Sequence, residues 1–121
     1  MSESLEPFVG YADGASRSMQ NLSSTAWAIF ALNGELVIFQ WISIGRSTNN
    51  IVEYSALIEL LSDAISFGIK CIITRLDSQL VVLQLTSIYT VRNPTLLILF
   101  LRVHLLERQF DFIQYQHISK N

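Results

Sequence analysis

Three acidic residues stand at positions where carboxylates could act together. Asp13 and Asp77 each follow a short segment that alternates or runs apolar, as a β-strand does. Glu53 lies four residues before Leu57, so it shares the apolar stripe of a predicted helix. A carboxylate on such a stripe must be paired, protonated or bound to a metal, because burying an isolated charge is costly. The three acids together predict a site for a hard divalent cation such as Mg²⁺.

Each acid alone also has an ordinary structural interpretation. An aspartate at a strand end is often a turn former or a helix N-cap, and Glu53 could simply belong to a first helical turn, where the helix dipole favours acids. Their convergence from three separate elements is what favours chemistry. The single cysteine, Cys71, excludes a disulfide framework and a cysteine-rich zinc site.

The elements that must position these acids follow from the hydrophobic pattern. The predicted order is βββαβααβ, with the first strand over Phe8–Asp13 and a two-residue hairpin at Asn33-Gly34 between the next two strands. A helix is predicted from Asn49 to Phe67, and Gly68 is its C-terminal glycine. The remaining predicted elements are the strand CIITRL, the helix QLVVLQL, a helix from Asn93-Pro94 to about Arg108, and the strand FDFIQYQHI.

Composition sets the class of protein. The 121 residues fit a single domain, and 50% hydrophobic with 15% charged residues predicts a packed core. The net charge of −2 lacks the basic excess of proteins that bind nucleic acid by charge alone. The most apolar stretch, Leu96–Leu101, is too short to cross a bilayer and predicts a buried helix. No membrane association is expected, and without a secretory signal the cytoplasm or nucleus is the expected location.

Four ordered blocks carry a family resemblance: YADGAS around Asp13, STNNIVEYSALIELLSDAISFGI around Glu53, LDSQLVVLQL around Asp77, and the closing YQHISKN. Across nearly its whole length the chain resembles type 1 ribonuclease H, most closely the plant retroelement-type, reverse-transcriptase-like domains. The resemblance implies an α/β, ribonuclease H-like three-layer fold with a mixed five-stranded sheet.

The resemblance also implies an activity and a set of site residues. The expected reaction is endonucleolytic hydrolysis of the RNA strand of an RNA/DNA hybrid, with Asp13, Glu53 and Asp77 holding two Mg²⁺ or Mn²⁺ ions. The implied nucleic-acid-binding residues are Asn49 and Asn50 at the minor groove, Arg46 and Thr48 at a DNA phosphate, and Ser78 and Gln79 at the RNA backbone. Other interpretations stay open: Asn49 or Ser78 as a helix N-cap, and Arg46 as a solvated loop cation.

One departure from the family pattern concerns a fourth carboxylate. The family carries an Asp on a final helix beyond the HISK-type strand end, and the sequence stops at Asn121 before that position. Asp111 is expected inside the last strand and cannot replace it. We therefore expect a single, C-terminally truncated domain with impaired activity, and a homodimer that covers the place of the missing helix.

Two other functional classes share features with this sequence. A domesticated retroelement domain that binds nucleic acid or protein without cutting is the main alternative, and the acidic net charge favours it. An integrase or transposase core is disfavoured because its Glu comes last in the chain, whereas Glu53 comes second here.

Overall fold

The predicted order βββαβααβ is confirmed by the computed structural model, which describes residues 6–17 and 22–119. The strands are β1 Phe8–Arg17, β2 Leu22–Phe30, β3 Leu36–Gly45, β4 Cys71–Leu76 and β5 Phe112–His117. The helices are α1 Asn49–Ser66, α2 Gln79–Leu85 and α3 Pro94–Glu107. The predicted α/β class is therefore correct, with most boundaries within two or three residues.

The five strands form one mixed sheet in the order β3-β2-β1-β4-β5. β1 pairs antiparallel with β2 and parallel with β4, and β4 pairs parallel with β5. β1 and β4 are parallel neighbours whose pairing ends with Ala12 opposite Leu76, so Asp13 and Asp77 each follow the last paired residue. This adjacency brings Asp13 and Asp77 to a common edge, as the sequence argument requires.

The predicted strand and turn boundaries differ from the structure at two places. β1 does not stop at Asp13 but continues to Arg17, because its pairing with β2 extends through Gly14 and beyond. The hairpin after β2 is a three-residue loop: Gly34 N–H donates to Ala31 O, and Ala31 N–H donates to Glu35 O. Within this loop Gly34 has a positive φ, of 93°, whereas Asn33 does not. A two-residue turn of the predicted kind needs a positive φ at both positions, so the turn predicted at Asn33-Gly34 is wrong.

The helices cover one face of the sheet. On β2 and β4 every second residue is buried against them, including Ile29 and Ile72. α1 lies centrally, with Leu57 and Leu61 completely buried, and Trp27 Nε1–H donates to Asp63 Oδ2 of α1 at 2.5 Å. The opposite sheet face carries no helix among residues 6–17 and 22–119.

The prediction of a buried helix at Leu96–Leu101 is only half correct. Leu96 and Val103 of α3 are buried against α1, whereas Ile98 and Leu101 are 62% and 51% exposed. α3 packs on the outside of α1, so one side of it faces solvent. Periodicity does not detect this difference, because α3 is apolar on all sides.

Gly14 fixes the distance between β1 and α1. A Cβ atom at Gly14 would lie 2.5 Å from Val52 Cγ1 and 2.7 Å from the backbone nitrogen of Glu53. Backbone atoms of a packed helix cannot yield as a side-chain end can. Glycine at this position is therefore what allows α1 to approach the strand so closely.

We predict that Gly14→Ala destabilises the protein by about 1–3 kcal/mol, the usual cost of overpacking. Gly10→Ala is the matched control on the same strand, because its Cβ would meet only side-chain carbons of Leu60 and Ile72, at 2.9–3.1 Å. Urea unfolding of both variants measures the difference. An equal or smaller loss for Gly14→Ala would contradict the close approach of α1.

Candidate active site

The three predicted acids converge at the carboxyl-end edge of the sheet. Asp13, Glu53 and Asp77 each offer a carboxylate oxygen, and these oxygens lie within 4.8 Å of one another. Asp13 is in β1, Asp77 directly follows β4, and Glu53 comes from the first turns of α1. Three elements distant in sequence thus form a single carboxylate cluster.

Glu53 is the most enclosed of the three acids. It is 4% exposed, and its Oε1 accepts the backbone N–H of Gly14 at 2.5 Å. The other oxygen, Oε2, is buried and accepts no hydrogen bond. The side chain is therefore held at one oxygen while the other is left for a ligand.

The pKa of Glu53 is raised from 4.5 to about 7, mainly by burial and to a smaller extent by the charges of Asp13 and Asp77. The backbone N–H groups of Gly14 and Ser78 act in the opposite direction by stabilising the charged form. Near neutral pH the carboxyl group is accordingly divided between its two protonation states. A cation among the three acids would supply the missing positive charge.

The residues present fit a divalent metal. The cluster offers hard oxygen donors within one ion's reach, and one of them is a buried oxygen with no hydrogen bond. Cys71 is not among them, so the donor set has no soft ligand. The three carboxylates are therefore the residues that would hold such an ion.

The predicted nucleic-acid-binding residues lie at two helix starts beside the cluster. Thr48 is the N-cap of α1, where its Oγ1 accepts the Ile51 N–H at 3.4 Å, so Asn49 is not the cap. Asn49 is exposed and Asn50 half-buried in the first turn, one turn before Glu53, and Arg46 is exposed in the preceding loop. Arg46 and Asn49 are thus open to solvent, and the binding role of these residues stays a prediction.

The second helix start follows Asp77. Ser78 is the N-cap of α2, because its Oγ accepts the Val81 N–H at 3.2 Å. Gln79 is exposed in the first turn. The capping interpretation of Ser78 is thus correct.

Two features of the site were not predicted from the sequence. One is the hydrogen bond from Gly14 N–H to Glu53. The only signal for it in the sequence is the glycine after Asp13, which permits a close approach of another backbone. The other is Arg75, whose Nη1 donates to Tyr11 Oη at 2.8 Å and whose Nε donates to Gln116 Oε1 at 3.1 Å. Arg75 thereby joins β1, β4 and β5 two residues before Asp77.

Asp111 and His104 lie outside the carboxylate cluster. Asp111 precedes β5, where its N–H donates to Lys70 O, and so lies at the opposite end of the strand from His117. The prediction that Asp111 cannot serve as a fourth ligand agrees with this position, although it lies just before β5 and not inside it. His104 contacts Glu107 Oε1 at 2.7 Å on α3.

The fold and the carboxylate cluster define a ribonuclease H-like domain, and comparisons with known proteins agree. The family model described as reverse transcriptase-like matches residues 11–121. Ribonuclease HI of Halobacterium salinarum is 37% identical over 110 residues, which are 91% of this chain and 55% of that protein. The chain thus spans about half the length of this curated relative, and 30% of the bifunctional protein Rv2228c of Mycobacterium tuberculosis, to which it is 33% identical.

Solved structures support the same assignment. The ribonuclease H1 structure from Halobacterium salinarum NRC-1 has a TM-score of 0.88 and 36% identity, covering 94% of this chain and 86% of that one. The LC11 ribonuclease H1 structure, in complex with an RNA/DNA hybrid, has a TM-score of 0.86 and 28% identity, covering 93% and 86%. The chain belongs to the reverse transcriptase-like, ribonuclease H-type family. None of the helices in the described part of the chain is long and apolar enough to span a membrane.

We predict that Glu53→Gln stabilises the metal-free protein. Because the folded pKa of Glu53 is raised, its contribution to stability is full below pH 4.5 and is lost as pH rises through about 7. Glutamine keeps an oxygen for the Gly14 N–H but carries no charge. Thermal unfolding in a chelator should show a higher Tm for the variant, with a gain that grows as pH rises from about 4.5 to about 7 and then levels off.

Glu59→Gln is the matched control, since it makes the same change on the same helix outside the carboxylate cluster. It should leave the Tm and its pH dependence close to those of the parent. If Glu53→Gln lowered the Tm at every pH, the carboxylate cluster would not be a source of repulsion.

Proposed function

We propose that this domain is a ribonuclease H that hydrolyses the RNA strand of RNA/DNA hybrids with the help of divalent metal ions. The observation that carries the proposal is the convergence of three carboxylates within 4.8 Å at the carboxyl-end edge of the sheet. The identity to ribonuclease HI of Halobacterium salinarum supports it. The hybrid as substrate is suggested by the LC11 ribonuclease H1 complex.

In this proposal Asp13, Glu53 and Asp77 hold two ions, and Mg²⁺ is favoured because all the donors are hard oxygens. Bound divalent ions would activate a water and stabilise the leaving oxygen of the RNA strand. The protein's own part is to fix the carboxylates in advance. Gly14 N–H orients Glu53 through its hydrogen bond to Oε1, and the end of β4 positions Asp77.

Hybrid binding is assigned to the two helix starts that flank the cluster. Asn49 and Asn50 precede Glu53 by one helical turn, so amides that contact sugar hydroxyls or base edges would bring the strand toward the acids. Arg46 and Thr48 would take a phosphate of the DNA strand, since a guanidinium beside a helix N-terminus suits an anion. Ser78 and Gln79 would contact the RNA backbone from the start of α2.

The second candidate function is a binding module without cleavage. It is favoured by the net charge of −2 and by the presence of three, not four, clustered acids among the described residues. The two functions differ only in turnover. A retroelement origin of the domain is likewise a proposal, supported by the reverse transcriptase-like match.

We predict that the chain cuts the RNA strand of a labelled RNA/DNA hybrid in the presence of Mg²⁺ or Mn²⁺, and that Asp77→Asn lowers the rate on the order of 1000-fold. The asparagine keeps the shape of the side chain but removes a ligand charge. Gel-based cleavage and hybrid binding should be measured on the same preparations. Retained metal-dependent cleavage in Asp77→Asn would overturn the carboxylate assignment, and binding without any cleavage by the parent would establish the binding module.

We also predict that Arg46→Ala weakens hybrid binding about tenfold, because a charged hydrogen bond to phosphate contributes at least ~1 kcal/mol to binding. Arg108→Ala removes another exposed arginine, at the end of α3, and so makes the same change in net charge. Fluorescence anisotropy at fixed salt should show loss only for Arg46→Ala. Equal losses would indicate general electrostatics and contradict a phosphate site at Arg46.

A further inference from the structure

β3 is an unprotected edge strand. It lies at the end of the sheet and has β2 as its single strand neighbour within residues 6–17 and 22–119. At 10 residues it is longer than the typical strand of about five or six. Its outer row of backbone N–H and C=O groups is therefore available over an unusual length.

The sequence of β3, LVIFQWISIG, lacks the usual protection of an edge. It contains no charged residue and no proline, which are the residues that ordinarily prevent pairing with another strand. Its register shifts against β2 lie near the two ends, at Ser23/Ser24 and Ile29/Phe30, so the middle of the strand is regular. The centre of β3 is thus regularly paired with β2 and has no charged residue or proline that would prevent pairing with another strand.

Large apolar side chains on β3 are exposed. Trp41 is 64% exposed, Phe39 57% and Leu36 54%. Phe39 and Trp41 stand on the sheet face that no described helix covers, because their β2 partners Ala28 and Ala26 alternate along the strand with Trp27 and Ile29, which point toward the helices. An exposed apolar strand of this kind is a typical site of protein association.

We propose that β3 pairs antiparallel with β3 of a second copy of this chain, which joins the two sheets into one. The unpaired N–H and C=O groups along the edge can be satisfied by another β-strand. A second β3 in antiparallel orientation presents the same groups and the same apolar side chains. With a two-fold axis at Gln40, Phe39 lies opposite the partner's Trp41, and Ile38 lies opposite the partner's Ile42. No like charges meet, because the strand has none.

The size of this surface sets the strength of the dimer. Phe39 and Trp41 together leave on the order of 200 Å² per copy for a partner, against about 800 Å² per partner in a standard interface. The dimer is accordingly reversible and depends on concentration. It leaves the carboxylate cluster open, since β1 is separated from the edge by β2.

The test is sedimentation equilibrium of the full chain over a range of concentrations, with Trp41→Lys and Phe39→Lys as edge variants. The parent should dimerise, and each edge variant should weaken dimerisation about 100-fold, since a two-fold interface contains the substitution twice. Leu105→Lys is the matched control, because Leu105 is an apolar residue of α3 with similar exposure, 61%. It should leave the dimer unchanged.

Hydrogen exchange adds a readout at the strand itself. Outward amides of Leu36–Gly45 should become protected as concentration rises in the parent, and not in Trp41→Lys. A parent that stays monomeric at its highest soluble concentration would overturn the proposal. So would a dimer that only Leu105→Lys disrupts, because α3 would then be the interface. Hybrid cleavage by the variants should equal the parent's, so the proposal can fail without the proposed activity failing.

Discussion

The contact between the Glu53 carboxylate and the backbone of Gly14 is the constraint on which the site depends. It requires α1 to lie so close to β1 that a single methyl group at residue 14 would collide with the helix backbone. The close approach places a helix acid within reach of Asp13 in β1 and of Asp77, which directly follows β4. The packing of α1 against the sheet thus also assembles the carboxylate cluster.

The favourable packing of α1 on the sheet brings together three carboxylates that repel one another. The carboxylates repel one another, and burial of Glu53 raises its pKa to about 7, so the cluster opposes folding where all three are ionised. The buried leucines of α1 and the bond between Trp27 and Asp63 hold the helix in place against that repulsion. A metal ion binding among the acids would reverse the sign of the interaction, which links stability to the proposed chemistry.

The sequence by itself determined the class of fold and the identity of the acids. Periodicity separated helices from strands because alternate burial on a strand and a stripe on a helix leave a local pattern. β4 and α2 were predicted at their observed bounds, since apolar runs and the N-cap Ser78 delimit them. Glu53 was recognisable because a carboxylate interrupts an apolar stripe, and this conflict is visible in the sequence alone.

Only the tertiary structure decided which groups meet and which stay exposed. β1 continues beyond its predicted end at Asp13 because β2 offers it a pairing partner, and α3 exposes Ile98 because α1 covers only one side of it. The hydrogen bond from Gly14 N–H and the raised pKa of Glu53 likewise depend on elements far apart in the chain. Local patterns record the preference of each segment, whereas desolvation and distances between charges arise only when segments pack together.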